Sequence, residues 1–154
     1  MFQNLLIIHS IMRWVVIVAL LLGIGSVFIN KSQKNIYTSK HYFWFNVIKH
    51  LLNIQFVIGL IILTKSPMVQ AFWSQINQAV KWREIRFFGL EHPFMMILSI
   101  LVFNFIIHKS KKFINSTKGF NYLFWGYLVV FILVFISIPW SFSPFTTRPL
   151  FRFF

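Results

Sequence analysis

Apolar residues fall into four long runs, at about 5–29, 42–63, 87–108 and 122–138, with shorter polar segments between them. With a helical rise of about 1.5 Å per residue, each run lies in the length range that crosses a hydrocarbon layer roughly 30 Å thick. The second run carries a polar stripe. At about 100° per residue, Asn46, His50 and Asn53 share one face while Gln55 and Gly59 point away from it. That polar face is expected to look into a bundle, because polar groups facing lipid are costly.

The segment between the second and third runs has a different pattern. Ser66 and Pro67 make a helix start, and Val69, Phe72, Trp73, Ile76 and Val80 recur at helical spacing with Gln70, Gln75, Asn77, Gln78 and Lys81 mostly opposite. The pattern predicts a short amphipathic helix over about 67–83. It either lies on the membrane surface, where Trp73 and Trp82 suit the interface, or caps the bundle through the same apolar face. The expected fold is therefore all-α: a polytopic membrane four-helix bundle, residues 1–154 as one membrane domain, with a short interfacial amphipathic helix between spans two and three.

Composition agrees with a membrane chain, at 58% hydrophobic, 20% aromatic and only 11% charged residues. The net charge of +13 does not come with a base-reading motif or basic groove, so no nucleic-acid partner is expected. The cations instead flank the apolar runs, and they point to a lipid bilayer with anionic headgroups. Lys31, Lys34, Lys40, Lys49, Lys109, Lys111, Lys112 and Lys118 fall on one side, concentrated in two short loops without an acid. Arg13, Lys65, Lys81, Arg83, Arg86, Arg148 and Arg152 fall on the other, together with Glu84 and Glu91. The loop concentration orients the lysine-rich side inward and both termini outward.

Candidate chemistry is sparse. The chain lacks cysteine, which excludes disulfides, CxxCH haem attachment and cysteine-held iron–sulfur clusters. There is no HExxH, phosphate-binding glycine loop or nucleophile motif, and two carboxylates are too few for a hydrolase or acidic metal site. An electron carrier or a subunit is expected rather than a stand-alone enzyme.

What remains is a set of ionisable residues inside the spans. His9 and His92 lie at similar depth near the outer ends of spans one and three, and two imidazoles from different helices at one depth are what a b-type haem needs. Arg13 follows His9 by four residues and shares its face; Arg148 and Arg152 approach from the tail. Arginine forks suit haem propionates or a quinone carbonyl. Glu91 is placed either to neutralise Arg13 or to take part in the chemistry. His50 and His108 do not extend this to a second haem, because His108 is turned about 160° from His92 on the same helix. The plainer alternative is that each histidine only hydrogen-bonds to a neighbouring helix.

The motifs HSIMRW at 9–14, IQFVIGL at 54–60, LEHPFMM at 90–96 and IPWSFSPFTTRPLFR at 138–152 resemble a group of small four-span inner-membrane proteins, common in Bacteroidota and often labelled cytochrome b. The resemblance covers nearly the whole chain. It implies a bacterial inner-membrane protein with both termini periplasmic, and it marks His9, Arg13, Glu91, His92, Pro139, Trp140, Arg148 and Arg152 as family-pattern positions. Members tend to carry a histidine two residues before the glutamine of the second span, where this chain has Asn53; His50, one turn earlier, is the residue that would substitute.

The expected function is b-type haem binding between His9 and His92, with electron transfer involving a quinol or a redox partner. Two alternatives stay open: a non-catalytic subunit or scaffold bound to other membrane or respiratory subunits, and a quinone-binding protein without haem.

Overall fold

The computed structural model describes residues 2–140. The tail from 141 onward, with Arg148 and Arg152, lies outside the described residues. Four long apolar helices, α1 (Phe2–Ser32), α2 (Ser39–Lys65), α6 (His92–Ser110) and α7 (Lys118–Ser137), form an all-α bundle. Three short helices, α3 (Pro67–Ser74), α4 (Ile76–Ala79) and α5 (Arg83–Arg86), connect α2 to α6. Each long helix is long and apolar enough to cross a membrane, and the third span takes in α5 and the turns flanking α6, from Arg83 to Phe113.

The bundle is inside-out by aqueous standards. Leu22, Leu101, Phe94 and Trp125 are all more than 60% exposed, a distribution that water would not tolerate and acyl chains do. α1 packs mainly against α2 and α7, and α6 against the same two, so α1 and α6 occupy diagonal corners. Small residues allow close approach, as expected where packing replaces the hydrophobic effect. A methyl on Gly23 would collide with the Tyr127 ring, and one on Gly126 with Ile106.

The packed core is not distributed evenly. On α1 the buried positions run from Val16 to Val27, on α2 from Phe45 to Gln55, and on α6 they begin at Ser99. Leu20, Phe103, Ile107, Leu123, Tyr127 and Val130 fill this half. It is closed by the loops on either side of Tyr37 and Ser116, which pair through backbone bonds in both directions, Tyr37 N–H to Ser116 O at 3.1 Å and Asn115 N–H to Tyr37 O at 2.7 Å. The Tyr37 hydroxyl lies 3.1 Å from Ser110 Oγ, and its ring occupies the space a side chain on Gly119 would need.

Two expectations change at the other end. The single helix expected over about 67–83 is three short ones, broken at Gln75 (φ −142°, ψ 53°). Val69 and Phe72 turn inward and cap the bundle, whereas Trp73 and Trp82 are exposed, 58% and 64%. Span three is also not one regular helix. Phe87–Glu91 form a π-helical turn immediately before α6, with the His92 N–H reaching back to Phe87 O. Pro93 supplies the cause: it has no N–H for the carbonyl four residues back, and its ring crowds that carbonyl, so the turn widens.

Candidate functional site

At the end remote from Tyr37, the helices enclose a cavity of about 360 Å³ instead of a packed core. α1 contributes His9, Ser10 and Arg13, α2 contributes Leu52, Gln55 and Gly59, and α6 contributes His92, Met96 and Ser99. Ser66–Val69 form its lid and Pro139 closes one side. From Ser66 to Leu52 the cavity follows α2 for about 21 Å at helical rise.

His9 and His92 meet across it. Their ring centroids are 6.5 Å apart and the planes lie at 81°. Because α1 and α6 are diagonal, the two imidazoles approach from opposite corners of the bundle. The His92 ring is held on several sides. Its Nδ1 lies 2.7 Å from the carbonyl oxygen of Ser137, so Nδ1 carries the proton and donates it, and Nε2 keeps its lone pair in the neutral ring. The Ser137 carbonyl belongs to the last turn of α7 and lacks an intrahelical partner by position. Phe87 and Phe88 flank the ring at 5.8 and 6.4 Å.

His9 is held differently. Its backbone carbonyl accepts a hydrogen bond from Gln55 Nε2 at 2.9 Å, whereas its Nδ1 is buried without a hydrogen-bond partner among the described residues. Gly59 lies against the ring: a Cβ there would be 3.2 Å from His9 Cε1. With Nε2 of Gln55 committed to His9, Oε1 is left buried and without a partner among the described residues. Arg13 lines the cavity, with Nη2 3.5 Å from Ser10 Oγ and its guanidinium 5.6 Å from the Trp14 ring centre.

The other expected site residues lie elsewhere. Glu91 does not neutralise Arg13. It pairs with Arg86, Nε to Oε1 at 2.6 Å, and Arg86 also donates to the Val80 carbonyl at 2.9 Å, so both belong to the cap. Asn53 exchanges two hydrogen bonds with Asn104 of α6, at 3.2 and 2.9 Å. His50 is exposed on the outside of α2 and is not part of the cavity wall. The face expected to look inward is therefore misplaced: the buried stripe of α2 is Phe45, Leu52 and Gln55, with Gly59 continuing it. Asn53 sits on the edge of that stripe and His50 well outside it. Arg148 lies outside the described residues.

No family model matches the chain, and no curated protein or solved structure matches it either. The residues must therefore speak for the site. Among the described residues no group of three or more His, Cys, Asp or Glu side chains gathers. A metal held by protein alone needs three or four such ligands. Two histidines are enough only when the metal brings its remaining ligands with it.

Proposed function

We propose that this chain is an electron-transfer protein that binds one b-type haem, with His9 and His92 as axial ligands. The observation that carries the proposal is the approach of two imidazoles from diagonal helices to 6.5 Å, inside a largely apolar cavity. Two rings that share one metal at about 2 Å per nitrogen have centroids roughly 6 Å apart. The donor set fits the group: a porphyrin supplies four nitrogens and asks the protein for two.

Haem supplies reversible one-electron chemistry when bound; the rest is done by the chain. The Ser137 carbonyl fixes the His92 tautomer and raises the basicity of Nε2. Gly59 leaves room for the His9 ring, and Gln55 holds the backbone that carries it. Leu52, Phe56, Met96 and Ile100 keep water from the cavity walls. Arg13 offers a guanidinium for propionate carboxylates.

The proposal includes an orientation in the bacterial inner membrane, with the His9 end and both termini at the periplasmic face. Its support is the lysine distribution: Lys31, Lys34, Lys109, Lys111, Lys112 and Lys118 surround the opposite end, with Lys31 drawn over the Phe124 ring at 4.3 Å. The test is a reduced-minus-oxidised spectrum of protein purified in mild detergent with haem supplied. An alpha band lost in both His9→Ala and His92→Ala is expected; its absence from the wild-type protein overturns the proposal.

A further inference from the structure

Gln55 poses a separate question. Its side chain is buried to 7% exposure in the membrane interior, it lines the cavity, and its amide nitrogen is committed to His9 O. The remaining atom, Oε1, is an acceptor without a donor among the described residues. A buried amide oxygen left unpaired is costly, and in a lipid-surrounded bundle the cost is met by a partner. That partner must bring an O–H or N–H. Haem propionates bring acceptors, so they leave this atom unanswered.

The surroundings narrow the class. Gln55 lies one helical turn deeper than Gly59, and thus below the His9–His92 contact, where Leu52, Phe56, Met96 and Ile100 form the walls. Phe56 and the polarizable Met96 favour an aromatic ring. Leu60 and Ile97 line the cavity and are also 39% and 41% exposed on the outer surface, so the wall between α2 and α6 opens to the acyl-chain region. An apolar tail can leave by that route.

We infer that the deep end of the cavity binds a lipid-soluble hydroquinone, with one phenolic O–H donating to Gln55 Oε1 and the tail passing between Leu60 and Ile97 into the bilayer. The binding follows from the cavity itself; its use as an electron source rests on the haem proposal above. A quinone turns a carbonyl lone pair toward Oε1, so the site discriminates in favour of the reduced form. One hydrogen bond to a buried acceptor corresponds to about tenfold in affinity.

The experiment uses the full chain in detergent or nanodiscs, equilibrated with decylubiquinol kept reduced, with decylubiquinone, or with a fatty alcohol of matched tail. Retained ligand is quantified by extraction and chromatography. Wild-type protein should retain the quinol about tenfold more tightly than the quinone, and Gln55→Leu should lose that preference. Equal retention of the two oxidation states by wild-type protein overturns the inference, whatever the fate of the variant. Fatty alcohol held as tightly as the quinol overturns the hydroquinone class. Measuring with and without supplied haem separates the two proposals: a missing alpha band with the quinol preference intact sinks only the haem, and the converse sinks only this site.

Discussion

His92 of α6 donates from Nδ1 to the carbonyl oxygen of Ser137 on α7, at 2.7 Å, and this bond ties the start of one span to the end of another. Removing the imidazole leaves a helix-terminal carbonyl unpaired. His92→Ala should therefore cost about 1–3 kcal/mol in reversible unfolding, the penalty for an orphaned buried polar group. His9→Ala should cost less, because its Nδ1 gives up no hydrogen bond in the folded chain. If both variants lose the same stability, the bond to Ser137 contributes nothing particular.

Gly59 sets the position of His9. A methyl there meets His9 Cε1 at 3.2 Å, tighter than ordinary contact. Gly59→Ala should move the ring by a few tenths of an ångström and weaken any ligand bound through it. Gly59→Val should abolish that binding while the unfolding midpoint changes little, since the cavity has space to take the displaced ring. A spectrum in Gly59→Val identical to wild type contradicts this.

Arg86 and Glu91 form a half-exposed pair, with side chains 37% and 33% accessible. Solvent and headgroup screening limit such a pair to under about 1 kcal/mol. Arg86→Ala should loosen the cap, seen as faster proteolysis near residues 76–86, and leave the cavity's ligand binding unchanged. A loss of the haem alpha band in this variant would place Glu91 in the site after all.

Burial at the opposite end pushes the Tyr37 hydroxyl up to about 12 from its ordinary value of 10. The unfolded chain thus releases this proton first. Stability attributable to Tyr37 is complete below pH 10 and is lost as pH rises from there through about 12. Thermal melts in detergent across this range should show a decline that Tyr37→Phe makes shallower. An unchanged decline assigns the alkaline loss to other groups.

The helical spans were legible because an apolar run of this length has few other solutions in a chain with so few charges. The joint placement of His9 and His92 was legible too, since depth follows from position along two antiparallel-connected spans. Rotation about the helix axis was not. The polar stripe of α2 suggested Asn46, His50 and Asn53, yet the inward face is set by Phe45, Leu52 and Gln55. Polarity alone failed there because an asparagine pair can satisfy itself at the edge of a packing face, as Asn53 and Asn104 do. Gln55 could have been found by asking which isolated mid-span amide has no partner in its own helix. The widened turn before His92 had its signal in Pro93, and the break at Gln75 has no comparable mark in the residues around it.

The uneven core bears on the order of events in the cell. The half between Tyr37 and Val16 is filled by the chain's own side chains and clasped by its own loops, so it does not wait for a ligand. The helices can insert, pair and stand in the bilayer with the other half still hollow. Loading is then a late step, taken by an already assembled vessel, and a cell short of cofactor would accumulate intact empty protein rather than degrade a misfolded one.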